Sequence, residues 1–200
     1  GIIKPGIPVI IGEYSADTKK VFEEKAAATG SSVYYAQDIY QVSNKDTTAQ
    51  KLECDVTDTT NNCTEHFILD LPGVYQTKNL CSVLAAEKIL MEQGWNIPEN
   101  AEKTGLANTR KLTGLRGRWE TIAQNPAIIT DVGHNEEGIR NIVAQLNTSW
   151  PAAKKHFVLG FVKDKDLAHV LALLPKDAAY YFSNAHIPRA LPHGELKNLA

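Results

Sequence analysis

The first third of the chain alternates between short apolar runs and helical spacing. Residues 7–12 form a nearly uninterrupted run of branched apolar side chains, which is typical of a strand covered on both faces in a parallel sheet. Ser15 is a good helix-capping residue, and it precedes a helix predicted over residues 18–29 that ends at Gly30. Residues 33–35 supply the next strand. The pattern therefore predicts a β-α-β unit, which we interpret as the tail of a larger α/β domain.

The middle of the chain changes from strand to helix patterning. Residues 39–71 alternate short apolar runs with turn residues such as Asn44 and Asp58, and this pattern predicts antiparallel strands joined by loops. From residue 77 to Gly94 the apolar positions take helical spacing. A second, shorter helix is predicted over residues 99–106.

The last third has the alternation of strands and helices that is typical of a parallel sheet. Residues 113–118 hold two glycines and two arginines, so this segment is the predicted linker between a domain at 1–112 and a domain at 119–200. The second domain has predicted strands at 119–123, 127–131, 156–161 and 179–183, with helices at 136–146 and 167–174. This order predicts a Rossmann-like α/β domain.

Composition and charge exclude several classes of protein. With 43% hydrophobic and 22% charged residues, the chain has the composition of an ordinary soluble globular protein. The net charge of -2 gives no broad attraction to nucleic acid or to an anionic membrane, and no apolar run reaches the ~18 residues of a membrane span. The three cysteines lack CxxC spacing and indicate neither a disulfide framework nor a zinc site. We therefore expect a reduced, cytoplasmic setting, with no nucleic-acid or membrane partner.

Three polar clusters follow three of the predicted strands. They occupy residues 131–135, 163–166 and 184–189. In open parallel sheets, ligands gather beyond the carboxyl ends of the strands, where helix N-termini offer unpaired N–H groups. Each cluster alone is also explained as an ordinary turn with helix-capping residues. Three clusters at one sheet edge favour a binding site.

The residue types in and near these clusters limit the chemistry. Asp131 is suited to accept hydrogen bonds from ribose hydroxyls, Arg118 to stabilise charge on a transferring phosphoryl group, and Lys165 to bind the carboxylate of a small acid. No serine or cysteine lies in a nucleophile-elbow context, which argues against covalent catalysis. The sequence contains neither GxGxxG nor GxxxxGK[ST], so a dehydrogenase and a complete P-loop enzyme are both disfavoured.

Read in order, the motifs resemble the folylpolyglutamate synthase/dihydrofolate synthase family of the Mur ligase superfamily. The matching segments are GIIKPGIPVIIGE at 1–13, LPGVYQTKN at 71–79, GRWE at 117–120, DVGHN at 131–135, KDKD at 163–166 and IPR at 187–189. The resemblance covers essentially all 200 residues with plausible spacing. One departure is Val132-Gly133, where the family usually has small residues. The resemblance implies the C-terminal part of a P-loop-type central domain, followed by a Rossmann-like Mur ligase C-terminal domain.

The resemblance also implies a reaction. It is the ATP- and Mg²⁺-dependent addition of L-glutamate to a folate or to dihydropteroate, through an acyl-phosphate intermediate. A carboxylate is inert to amines at neutral pH, whereas its mixed anhydride with phosphate has a good leaving group. Catalysis then depends largely on positioning and charge stabilisation.

The family roles carry over to individual residues of this sequence. Asn79 is expected to contact the adenine, Arg118 the phosphates and Asp131 the ribose. His134 and Asn135 are expected to lie beside the nucleotide and the incoming amino acid. Lys165 is expected to contact the glutamate carboxylate. His134 and Arg118 are the expected catalytic residues. Three assignments have simpler alternatives, since His134 and Gln76 are also explained as helix caps and Arg189 as a surface charge.

Several family segments are missing from this sequence. The P-loop, the magnesium ligands and the lysine that is carbamylated in relatives are expected to precede Gly1, and a closing strand and helix are expected to follow Ala200. We therefore expect the chain alone to be inactive. Two other interpretations are another Mur-type amino-acid ligase and a non-catalytic Rossmann-like module that binds a nucleotide or a small acid.

Overall fold

The computed structural model describes residues 2–98, 100–163 and 167–200. They divide into two compact units, of which the first ends at Ile129 and the second begins at Thr130. The linker predicted at 113–118 lies within the first unit, and the predicted domain limits at 112 and 119 stay predictions. No helix in the described part of the chain is long and apolar enough to cross a membrane.

The first unit opens with the predicted β-α-β arrangement. Its elements are β1 (Val9–Ile11), α1 (Ala16–Thr29) and β2 (Val33–Tyr35). The two strands pair in parallel, as expected. Helix α1 begins where the Ser15 hydroxyl accepts the Thr18 N–H at 3.3 Å, and it ends at Gly30, whose left-handed φ of 63° suits a residue without a side chain.

A three-stranded antiparallel sheet follows and carries the core of the first unit. Its elements are α2 (Ala36–Ile39), β3 (Tyr40–Thr47), β4 (Leu52–Asp58) and β5 (Cys63–Leu69), with β4 in the centre. Alternate residues of β4 face inward, so the core is built from Leu52, Cys54, Val56, Phe67, Leu69, Leu80 and Leu84. The predicted turn residue Asn44 lies inside β3, at an irregularity of the register with φ of 47°. The antiparallel prediction is confirmed.

Helices and a strand pair complete the first unit. They are α3 (Gln76–Glu92), α4 (Ala101–Ala107), α5 (Thr109–Thr113), β6 (Glu120–Gln124) and β7 (Ala127–Thr130). The sequence pattern did not predict α5, a helix whose Arg110 N–H is bonded to Asp70 Oδ2 at 2.8 Å. Strands β6 and β7 pair with each other, since only two residues connect them.

The second unit has the predicted alternation of helices and strands. Its elements are α6 (Glu136–Ser149), β8 (His156–Leu159), α7 (Leu167–Ala172), β9 (Ala179–Phe182) and α8 (His193–Leu199). Strands β8 and β9 pair in parallel, and the core consists of Ile139, Phe161, Leu167, Val170, Leu191 and Leu196. The pairing of β7 with β6 means that the three polar clusters do not follow strands of one sheet.

Candidate functional site

Main-chain hydrogen bonds join two of the three polar clusters. The Lys163 N–H donates to the Arg189 carbonyl oxygen at 3.0 Å, and the Leu191 N–H donates to the Phe161 carbonyl oxygen at 2.9 Å. An isolated antiparallel bridge between Val162 and Ala190 completes the contact. The segment after β8 and the segment after β9 therefore run side by side.

Gly160 allows this close approach. A Cβ atom at Gly160 would lie 3.1 Å from the Ser183 carbonyl oxygen, which is tighter than nearly all real contacts of this kind. The Ser183 N–H donates to the Leu159 carbonyl oxygen at 2.8 Å, so the two backbones are bonded here. A larger residue at position 160 would push the strand ends apart.

The first cluster lies against helix α6 through two more glycines. A Cβ atom at Gly133 would lie 2.7 Å from Ile142 Cδ1, and one at Gly138 would lie 3.2 Å from Gly133 Cα. Asp131 Oδ1 accepts the Gly133 N–H at 2.7 Å and so fixes the turn. Val132 is 52% exposed, which explains why a bulkier residue fits at this departure from the family pattern.

Two of the three clusters line one cavity of about 600 Å³ in the second unit. It is lined by His134, Gly160, Phe161, Val162, Ser183, Asn184, Ala185, Ile187, Arg189 and Ala190. The first and third predicted clusters therefore meet at this cavity, and Val162 brings the end of the β8 segment to it. Within the described residues, the Arg189 guanidinium has no carboxylate partner, so it is a cation available to an acidic ligand.

His134 and Asn135 have different structural roles. His134 Nδ1 lies 3.0 Å from the Val132 carbonyl oxygen, which only accepts. We therefore assign the proton to Nδ1, which leaves Nε2 as an acceptor in the neutral ring. Asn135 is the N-cap of α6, since its Oδ1 accepts the Gly138 N–H at 2.8 Å. The capping role considered for His134 thus belongs to Asn135.

Asn79 and Arg118 belong to the first unit. Asn79 is exposed on the first turn of α3, and its Nδ2 donates to Oε1 of the buried Gln76 at 2.7 Å. Gln76 therefore orients Asn79. Arg118 lies between two residues with left-handed backbone, Gly117 with φ of 69° and Trp119 with φ of 48°. Lys165, the predicted carboxylate contact, lies outside the described residues.

Sequence reasoning gave no individual role to three residues, although Asn184 lies in the third polar cluster and Glu120 in the GRWE segment. The Asn184 Oδ1 accepts the His193 main-chain N–H at 3.3 Å and lies 2.9 Å from its Nδ1, which fixes Asn184 at the cavity wall. Glu120 is a buried carboxylate. Burial and the neighbouring Glu87 raise the pKa of Glu102 to about 7, beside a separate cavity of about 340 Å³ in the first unit. No sequence pattern marks the burial of Glu120 or Glu102, because burial depends on the tertiary packing.

Comparison with known proteins finds similarity to the same family that the motifs resemble. Residues 117–200 match the family model of the Mur ligase glutamate ligase domain. The dihydrofolate synthase/folylpolyglutamate synthase of Bacillus subtilis (strain 168) is 26% identical over 192 residues, which are 95% of this chain and 44% of that protein. The folylpolyglutamate synthase of Lacticaseibacillus casei is 28% identical over 199 residues, which are 96% of this chain and 44% of that protein.

A solved structure extends the likeness to the fold. A complex of folylpolyglutamate synthase with AMPPCP and folate superimposes with a TM-score of 0.76 at 25% identity, covering 90% of this chain and 43% of that one. The chain spans about half the length of the curated relatives it matches. The resemblance and the mixed α/β fold are confirmed, whereas the origin of the first unit in a P-loop-type central domain stays a prediction.

Proposed function

We propose that the chain serves in the ATP-dependent addition of L-glutamate to a folate or to dihydropteroate, because residues 117–200 match the Mur ligase glutamate ligase domain model. The observation that carries the proposal is the cavity of about 600 Å³ at which the polar segments of the second unit meet. Its volume lies in the usual range of small-molecule sites, roughly 300–1,000 Å³.

The cavity is proposed to hold the incoming amino acid. L-Glutamate carries two carboxylates, and a guanidinium binds a carboxylate through two parallel hydrogen bonds. Arg189 supplies that group at the cavity wall, and Ser183 adds a hydroxyl group there. Lys165 is a second proposed carboxylate contact, carried by the resemblance alone.

His134 is proposed to take up a proton. An amine attacks an acyl carbon only as the neutral base, so one proton must leave the nitrogen as the new C–N bond forms and the phosphate departs. His134 lines the cavity, and its Nε2 is an acceptor because Nδ1 donates to Val132. Nε2 is thus suited to accept that proton as a general base.

The nucleotide contacts are proposed from the family motifs. Asn79 is assigned to the adenine, Arg118 to the phosphates and Asp131 to the ribose, with Asn135 capping the adjoining helix α6. Arg118 is the best supported of these, because it has no carboxylate partner in the described part of the chain. The reaction is proposed to pass through an acyl phosphate formed from ATP and the folate carboxylate.

The described residues do not fit a magnesium site. Across residues 2–98, 100–163 and 167–200, no three His, Cys, Asp or Glu side chains are grouped to hold a metal ion. No step of the proposed reaction is therefore assigned to a metal. Since these 200 residues also lack a GxxxxGK[ST] sequence, we propose that the chain alone does not ligate glutamate.

Titration calorimetry tests the amino-acid site. The 200-residue chain is titrated with L-glutamate, and Arg189→Ala is expected to weaken binding at least tenfold, corresponding to roughly 1.4 kcal/mol. Arg140→Ala is the matched control, because Arg140 is an exposed arginine of the same unit that pairs with Glu136 instead of lining the cavity. Equal affinities for the wild type and Arg189→Ala would remove Arg189 from the site.

An activity assay on the full-length protein tests the reaction. We expect ATP-dependent glutamate addition to dihydropteroate or a reduced folate. Turnover of a cell-wall nucleotide precursor alone would overturn the folate assignment in favour of another Mur-type ligase. Absence of any ATP-dependent ligation would favour a non-catalytic binding module.

A further inference from the structure

One buried carboxylate holds the turn that carries Arg118. Glu120 is only 3% exposed, and its Oε1 lies 3.0 Å from Arg110 Nη2 and 2.7 Å from Arg116 Nε. Its Oε2 accepts the Gly117 N–H at 2.9 Å. These donors compensate a carboxylate that burial would otherwise penalise. The Gly117 N–H and the two arginines hold the pKa of Glu120 below its usual range.

The backbone of this turn is unusual on both sides of Arg118. Gly117 has φ of 69°, and Trp119 has φ of 48°, a value that residues with side chains rarely adopt. Such a conformation persists only where the surroundings fix it. Trp119 is buried, and the bond from Gly117 N–H to the Glu120 carboxylate closes the turn around Arg118.

Glu120 also forms ion pairs with two of the three arginines near it. Arg110 and Arg116 both bind its carboxylate. Arg118 forms no ion pair with any residue that the structure describes, and its Nη1 lies 3.4 Å from the Gly117 carbonyl oxygen. Arg118 is thus the cation that remains for an anionic ligand.

The same network reaches the segment that leads into α3. The Arg110 main-chain N–H donates to Asp70 Oδ2 at 2.8 Å, while its side chain binds Glu120. Asp70 lies shortly before the helix that carries Asn79. One arginine therefore ties the Arg118 turn to the segment before the proposed adenine contact.

We propose that Glu120 is a positioning residue for ATP: it fixes the turn that presents Arg118 to the phosphates and keeps Arg110 and Arg116 away from them. This inference rests on the proposed function, because it assigns the phosphates of ATP to Arg118. Glu120 itself touches no substrate. Its effect is expected in the step where charge develops on the transferred phosphoryl group.

The experiment measures the kinetics of the full-length ligase with ATP as the varied substrate. Glu120→Gln keeps the shape of the side chain and an acceptor for the Gly117 N–H but removes the charge. We expect kcat to fall on the order of tenfold or more, with KM for ATP changed less than about threefold, because the loss is in transition-state stabilisation. Glu120→Asp restores part of kcat, since it restores the carboxylate.

A double mutant and a control separate positioning from folding. Arg118→Ala and Arg118→Ala/Glu120→Gln are expected to have the same kcat, because Glu120 acts through Arg118. Glu65→Gln is the control, as it breaks the exposed pair with Lys103 at 2.7 Å and is expected to leave kcat unchanged. Rates are expressed per folded enzyme, measured by circular dichroism. If Glu120→Gln folds poorly, Glu120→Asp takes its place in the double mutant.

The outcomes distinguish this inference from the proposed function. A wild-type enzyme without ATP-dependent ligation of folate or dihydropteroate overturns both. An active wild type with a Glu120→Gln kcat within about twofold of it overturns only the positioning role. Additive losses in the double mutant also overturn it, because they place Glu120 and Arg118 in separate functions.

Discussion

Glu102 is expected to make the stability of the first unit depend on pH near neutrality. It lies on α4, and burial together with Glu87 raises its pKa from 4.5 to about 7. Its Oε1 is buried without a hydrogen-bond partner among the described residues. The ionisable groups at the same cavity are Tyr40, Asp58, Cys63, Glu65, Glu87, Lys88 and Glu92.

The sign of the effect follows from proton binding. Because the pKa of Glu102 is higher in the folded chain, the folded state binds more protons than the unfolded state between pH 4.5 and about 7. The free energy of unfolding therefore falls as pH rises through this window. Below the window, the ionisation of Glu102 does not change it. The rise in pKa from 4.5 to about 7 corresponds to roughly 3–4 kcal/mol, and solvent at the open cavity reduces the effect to about 1–2 kcal/mol.

The test uses the variant Glu102→Gln, because a glutamine side chain is uncharged at every pH. We expect the variant to match the wild type at pH 4.5 and to exceed its melting temperature at pH 8 by about 2–8 °C, as measured by circular dichroism. Glu24→Gln is the control, since Glu24 is exposed and pairs weakly with Lys20 at 3.9 Å. Parallel melting profiles of wild type and Glu102→Gln from pH 4.5 to 8 would refute the reasoning.

Three further changes test the second unit. Leu196→Ala removes a fully buried side chain and is expected to lower the free energy of unfolding by about 2–5 kcal/mol in urea titrations; a loss under about 1 kcal/mol would contradict the core assignment. Asn135→Ala is expected to cost about 1 kcal/mol through the lost α6 cap, and an unchanged urea midpoint would show that the cap is dispensable. Gly160→Ala should weaken L-glutamate binding in calorimetry, whereas Gly105→Ala, whose Cβ would meet open space, should not; equal affinities would argue against the close approach at Ser183.

The fold was largely predictable because its elements have strong local signals. Ser15 and Gly30 mark both ends of α1, and the apolar alternation of β4 identifies the inner face of the antiparallel sheet. Helices α5 and α8 were missed, since they hold one and two leucines, too few apolar positions for a periodic pattern. The pairing of β7 with β6 was also missed, although only two residues connect them, because the alternation of strands and helices after them indicated one parallel sheet.

The sequence motifs predicted which residues belong to the candidate site but not which contacts their side chains make. Polar residues after strands indicated His134 and Arg189, which both line the cavity. Asn135 was expected to contact a ligand, yet its side chain caps α6. The sequence does not separate the two roles, because asparagine is common both in polar binding sites and at helix N-caps. Glu120 carried no signal of its burial, since its two arginine partners at positions 110 and 116 become neighbours only in the folded chain.

The backbone bridge between the segments after β8 and β9 has a consequence for how this protein can change. Lys163 and Arg189 meet through main-chain atoms, and so do Phe161 and Leu191. Main-chain bonds survive most substitutions, so the walls of the cavity persist while the side chains at its surface vary. Positions such as Ile187 are therefore open to diversification, and a library restricted to the cavity wall would vary the lining of the proposed amino-acid site while its backbone stays in place.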